Sequence, residues 1–252
     1  MEGAELGLFM ISACLFVALL EYPASPAHQS LTDPVFRRVL IGAVMGATAI
    51  GIIYSPIGQR SGAHFNPAVT LTFWRLGKIP PWDAIFYSIS HFVGGTLGVI
   101  LSAVLLGMVI ADPTVNYVVT TPGSDGPTIA FISEVIISFL QMSLVLRLSN
   151  SKRFGRFTGV FAGVMVALYI SIEAPYSGMS MNPARTFASA LPANLWTAGW
   201  IYFTAPPLGM LAAAELYLHQ HTIHKVFCAK LHHHNDKRCI FRCNYHAMGI
   251  GG

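Results

Sequence analysis

Residues 61–70 read Ser-Gly-Ala-His-Phe-Asn-Pro-Ala-Val-Thr, and residues 177–186 read Ser-Gly-Met-Ser-Met-Asn-Pro-Ala-Arg-Thr. Both fit the pattern SGxxxNPAxT, and each opens an apolar stretch, from about His64 to Leu76 and from Met179 to Leu191. At about 1.5 Å per residue, either stretch is a helix crossing roughly half of a ~30 Å hydrocarbon core. Proline suits a first helical position, where its missing N–H has no intrahelical partner. Each Asn-Pro pair therefore predicts the start of a half-length helix.

The surroundings of the two decapeptides set their context. Six longer apolar segments flank them, at about 4–21, 39–58, 83–110, 128–148, 157–173 and 196–218. Of 252 residues, 54% are hydrophobic and 10% charged, far from the roughly 25% charge of soluble domains. Mean hydropathy is +0.57, which also excludes disorder. The chain reads as a polytopic membrane protein. Its first apolar segment is a permanent span, not a secretory signal, because Glu2 and Glu5 replace a basic leader region and no small-residue cleavage site follows Leu20.

Each decapeptide follows the second span of a three-span half, so the chain is a duplication: repeat one at about 1–110, repeat two at about 128–219. Glu5 and Glu134 stand near the start of each half, and His91-x-x-Gly94-x-x-x-Gly98 is echoed by Pro206-x-x-Gly209-x-x-x-Ala213. The small residues of this echo permit close helix crossings. An odd number of spans per copy inverts the second copy in the membrane, a plan shared by many transport proteins. The expected fold class is an all-α membrane protein with six transmembrane helices, two re-entrant half-helices and an inverted three-helix repeat.

Basic residues orient it. Lys152, Arg153 and Arg156 fill one loop, Arg75 and Lys78 another, and Lys225, Lys230, Lys237, Arg238 and Arg242 the tail, whereas residues 111–127 carry only Asp112 and Asp125. Both termini are expected to be cytoplasmic; Arg37 and Arg38 fall on the opposite side and run against the rule. Cys14 lies in the first span and Cys228, Cys239 and Cys243 in the tail, which suggests no disulfide framework.

Half-helices entering from opposite faces meet N-terminus to N-terminus, each presenting the positive end of its dipole, with Asn66 and Asn182 at the junction. Irregular backbone at that depth is tolerated only when it is buried in protein or lines a wet cavity. Such a junction repels cations and orients neutral hydrogen-bonding molecules.

With Asn66-Pro67-Ala68 and Asn182-Pro183-Ala184-Arg185 each inside an SGxxxNPA context, residues 1–219 resemble the aquaporin and glycerol-facilitator family, also called the major intrinsic proteins. The resemblance implies a passive water channel without chemistry or cofactor, in which the asparagines are midplane donors and Arg185 is the cation of a narrow outer filter. It further implies a homotetramer, and the expected source is a bacterium, with the protein in its inner (plasma) membrane. His64 supplies a backbone carbonyl to the inner half of the pore, its side chain packing within the loop. By position, the rest of the filter falls on Ile170, where water-selective members usually have His; on Met179; and on Met45, or else Gly46, where Phe or Trp is common. The filter thus reads Met45, Ile170, Met179, Arg185, less polar than the water type yet lacking the aromatics of glycerol conductors. Thr186 replaces the Asp that glycerol conductors place after the second motif, which favours water. A facilitator of glycerol, urea, ammonia or hydrogen peroxide is the alternative. A proton-coupled transporter would need titratable groups along the path, where the motif places only Arg185.

Glu5 and Glu134 are each expected to brace a re-entrant loop by accepting backbone N–H bonds. Residues 220–252 form a separate cytoplasmic tail rich in His and Cys. Within it Cys228, His232, Cys239 and Cys243 are candidate metal ligands, against the plainer reading of a basic tail whose Phe227, Ile240 and Phe241 contact lipid or the inner face of the channel. A metal-sensing membrane protein with a vestigial pore is the corresponding third reading. Nothing in the sequence points to nucleic acid; the expected partners are water or small neutral solutes and the bilayer.

Overall fold

The computed structural model describes residues 1–245, which are helices and connecting loops. In chain order the helices are α1 (Glu2–Glu21), α2 (Pro26–Ser30), α3 (Pro34–Tyr54), α4 (Pro56–Ser61), α5 (Pro67–Arg75), α6 (Pro81–Leu106), α7 (Gly126–Ser149), α8 (Thr158–Ile172), α9 (Ala174–Ser177), α10 (Pro183–Ala193) and α11 (Trp200–Gln220). Five of them are long and apolar enough to cross a membrane: α1, α3, α6, α7 and α8, two of these with a short 3-10 extension. Helix α11 matches them with 21 residues, although Pro206, Pro207 and Glu215 dilute its apolar character. This is a multi-pass membrane protein.

Capping moves one predicted boundary. The second span was expected at 39–58, but α3 starts at Pro34 because the Asp33 carboxylate accepts the Val35 and Phe36 N–H groups, at 2.8 and 3.3 Å. It stops at Tyr54 because Pro56 forces Ser55 into extended backbone. The half-helices likewise begin at Pro67 and Pro183, with Asn66 and Asn182 as their N-caps.

Packing follows the repeat. Helix α1 lies along α6 and its counterpart α7 along α11, while α3 and α8 pack on each other across the pseudo-two-fold axis. The half-helices are exchanged: α10 of repeat two leans on α6, and α5 of repeat one on α11. Glycine sets the closest crossing. A Cβ at Gly94 would overlap the Gly3 carbonyl of α1, and one at Gly209 would overlap the Val135 carbonyl of α7, so the same crossing is made in both halves. The rim of α6 leaves Leu97 and Val104 exposed at 60% and 76%, an apolar surface suited to lipid.

Arg37 and Arg38 have partners. Glu21 accepts from the Arg37 guanidinium at 3.1 Å, and Arg38 Nε donates to the Ser171 carbonyl at 2.9 Å. The tail does not lie free. Leu231 N–H donates to the Gly62 carbonyl (3.1 Å) and Arg242 N–H to the Lys78 carbonyl (3.0 Å), while Asn150 Oδ1 accepts from Phe227 N–H (2.7 Å). Of the two sequence readings of Phe241, the structure takes the inner face: its ring lies against Gly62 and stacks on His64.

Candidate conduction pathway

Each re-entrant loop repeats one backbone shape. Gly62 and Gly178 are left-handed, and so, at matched positions, are Ala63 and Met179, then Phe65 and Met181. Non-glycine residues pay roughly 1–2 kcal/mol for that conformation, so something must hold these loops. In repeat two it is Glu134, which accepts N–H bonds from Ser180 (2.6 Å) and Met181 (2.7 Å) and the Ser177 hydroxyl (2.8 Å).

In repeat one the expectation for Glu5 needs correction. Glu5 accepts only the Ser61 hydroxyl, while Glu2 takes the N–H groups of His64 (3.1 Å) and Phe65 (2.7 Å). One acid serves the second loop and two share the work in the first, because Glu2 sits a turn nearer the helix start. His91 Nε2 lies 2.8 Å from Glu2 and fixes it, a role that Pro206 cannot fill at the matching position of repeat two. The repeated His/Pro position was visible in sequence, but Glu2 as the bracing acid was not.

The loops meet through their asparagines. Asn66 Oδ1 accepts the Ala68 N–H at 2.9 Å, and Asn182 Oδ1 accepts those of Ala184 (3.0 Å) and Arg185 (3.2 Å). The amide nitrogens cross between repeats: Asn66 Nδ2 donates to the Met181 carbonyl (2.7 Å), and Asn182 Nδ2 to the Phe65 carbonyl (2.8 Å). One hydrogen of each amide is used in this way, and the second has no protein acceptor among the described residues.

Both asparagines line a cavity of about 470 Å³ that runs from Glu21 and Arg38 at one end to His64 and Leu231 at the other. Met45, Ile170, Met179 and Arg185 all face it. Gly46 instead packs on the Gly163 carbonyl of α8, which distinguishes it from Met45. Arg185 Nη1 is buried without a hydrogen-bond partner among the described residues, a donor left for whatever fills the cavity. The motif prolines and alanines do not share this role: Pro67 and Pro183 start α5 and α10, while Ala68 and Ala184 are buried with their N–H groups on the capping asparagines. His64 is committed through both ring nitrogens, Nδ1 to Thr70 Oγ1 (3.0 Å) and Nε2 to the Ala229 carbonyl (2.9 Å).

Comparison with known proteins places this arrangement. The family described as Major intrinsic protein matches residues 6–217. The chain belongs to the major intrinsic protein family. Members of this family are channels, not enzymes. Among the relatives, Aquaporin NIP1-1 of Arabidopsis thaliana is 36% identical over 77% of this chain and 66% of its own length, and Aquaporin NIP6-1 of the same plant is 38% identical over 71% and 58%. A probable aquaporin of NIP type from Nicotiana alata is 34% identical over 68% of this chain and 62% of its own. The chain thus spans about three fifths of the length of these relatives. All three are plant proteins, and the expected bacterial origin gains nothing from them. The X-ray structure of the aquaglyceroporin from Plasmodium falciparum aligns with a TM-score of 0.67 at 17% identity, covering 86% of this chain and 92% of that one, which supports the fold.

The major intrinsic protein match stops before the tail, where a second cluster lies. One ligand atom each from Cys228, His233, Cys239 and Cys243 falls within 4.8 Å of all the others. The histidine expected here was His232; the structure turns His233 toward the three cysteines instead, and His232 packs its ring on Tyr54. Three consecutive histidines cannot be ranked from spacing. Asn235 holds the turn that follows them: its Nδ2 donates to the His232 carbonyl (2.7 Å), its own N–H donates to the His233 carbonyl (2.9 Å), and its Oδ1 accepts from Lys237 N–H (3.0 Å). Hydrogen bonds from the Cys228 and Cys239 thiols hold the Cys243 thiol well below its ordinary range. Burial disfavours the His233 cation, yet the pull of Cys239 and Cys243 prevails and pushes its pKa up to about 9.

Proposed function

We propose that the chain is a passive channel for water, with Met45, Ile170, Met179 and Arg185 forming its selectivity filter. The observation that carries this reading is the meeting of two asparagine-capped half-helices on one cavity that also receives an unpartnered Arg185 donor. Two positive dipole ends and a guanidinium oppose cations and protons, while fixed amide hydrogens replace the bonds that a water molecule leaves behind. The relatives named as aquaporins support a channel without choosing between water and a small neutral solute. A second reading, conduction of small neutral solutes such as glycerol or urea, is favoured by the filter itself. Ile170 and two flexible methionines stand where bulky rings or histidine would narrow the path. The proposed setting is a plasma membrane with both termini cytoplasmic, and the proposed assembly is a homotetramer.

Stopped-flow light scattering on proteoliposomes tests the reading. Fast shrinkage in an impermeant osmolyte, without accelerated re-swelling in glycerol or urea, is expected for the water channel. Solute-driven re-swelling selects the second reading. In the same assay Arg185→Val is expected to admit protons or larger solutes, and unchanged permeability to every solute refutes the filter assignment.

A further inference from the structure

Several contacts of the tail with the channel fall between the clustered ligands. Cys228 and His233 bracket Ala229 and Leu231; the Ala229 carbonyl accepts from His64 Nε2, and Leu231 lines the inner end of the cavity. Cys239 and Cys243 bracket Phe241, whose ring stacks on His64 with centroids 5.5 Å apart. The two short loops that cover the inner mouth therefore share one set of four side chains at their bases. We infer that Cys228, His233, Cys239 and Cys243 bind a Zn²⁺ ion that fastens the tail across the cytoplasmic mouth as a cap.

The donor chemistry fits. Three thiolates and one imidazole are a closed structural zinc set, with ligands at about 2.0–2.3 Å from the ion and hence roughly 3.5–3.8 Å from one another. Cys228 Sγ and Cys239 Sγ are 3.4 Å apart, and His233 Nε2 is 3.1 Å from Cys243 Sγ, so the side chains need only small adjustments. Backbone N–H groups two residues on already point at two sulfurs, Lys230 to Cys228 and Tyr245 to Cys243, both at 3.4 Å. Such donors stabilise metal thiolates. Three thiolates with one divalent cation leave a net negative charge, and the Lys230 side chain, 1% exposed, stands two residues from Cys228 with its own backbone N–H on that sulfur. This lysine is held by Asn235 and the Lys237 carbonyl, with no carboxylate bonded to it among the described residues, and the charge of the metal centre would answer its own.

The cap rests on the channel reading, but the metal site does not, so the test separates them. The full chain purified without chelator is analysed by inductively coupled plasma mass spectrometry, and about one zinc per chain is expected. Cys243→Ser and His233→Ala, made separately so that one folding failure is not decisive, are each expected to lose most of it. A metal-free protein that also fails to take up added Zn²⁺ overturns the site; copper in place of zinc, or a Cys228–Cys239 disulfide under reducing purification, overturns the zinc assignment. Proteoliposomes of the wild-type protein are then compared before and after zinc is stripped from the cytoplasmic side. Faster osmotic shrinkage on stripping, reversed by adding Zn²⁺, supports the cap, and an unchanged rate overturns it. Failure of both samples to conduct overturns the channel reading and, with it, the cap, while leaving the zinc count standing.

Discussion

Glu2 and Glu134 do the same work from matching places, each one residue before the carbonyl that meets the crossing glycine of its half, and their value is set by the number of bonds they accept. Each takes two backbone N–H groups from a loop whose left-handed residues would otherwise relax. Glu2→Gln puts an amide NH₂ where an acceptor is required, so a loss of roughly 2–4 kcal/mol is expected. Glu5→Gln keeps an oxygen for the Ser61 hydroxyl, and its loss should stay under about 1 kcal/mol. Thermal unfolding in detergent would show the ranking, and a larger drop for Glu5→Gln would remove this account of the first loop. Sequence alone pointed to Glu5 because, like Glu134, it falls within a predicted span near the start of its half. What it could not show is the phase of the helix, which turns Glu2 and Glu5 to different parts of one loop.

At the scale of the element, a short apolar stretch, a proline at its first position and an asparagine before it define a half-helix, and both halves were legible for that reason. The ends of the full spans were less so, since α3 is bounded by the Asp33 cap and Pro56, not by hydropathy. The α1–α6 crossing was foreshadowed by Gly94 and Gly98, but not the partner atoms, the carbonyls of Gly3 and Gly7. A side chain at Gly94 meets backbone that cannot yield without parting the helices. Gly94→Val is therefore expected to destabilise by several kcal/mol, more than the ~1 kcal/mol scale of helix propensity, with the folded peak lost in size-exclusion chromatography. A monodisperse, wild-type profile would mean that α1 and α6 do not cross so closely. The matching substitution Gly209→Val should behave alike, because Val135 stands on α7 as Gly3 does on α1.

Across the whole molecule, the inverted repeat makes one path from two loops, and the tail then breaks the symmetry by packing at only one end. The hydrogen bond between His64 and Ala229 joins residues 165 apart, so no local pattern announced where the tail would land, even though its ligand types were plain. That contact also bears on proton coupling. Glu21, Arg38, His64 and Arg185 are the titratable residues lining the cavity. Glu21 is paired with Arg37, Arg38 bonds the Ser171 carbonyl and both nitrogens of His64 are engaged, while Arg185 keeps its proton at any working pH. Each of them thus has a fixed partner or a permanent charge, an arrangement that argues against a proton relay along the path. Flux of a neutral solute or of water through proteoliposomes should therefore be unchanged when a protonophore collapses an imposed pH gradient, and a trapped pH dye should stay flat while the solute moves. Acidification in step with solute entry would mean that one of these pairings opens during transport, and the passive account would fall with it.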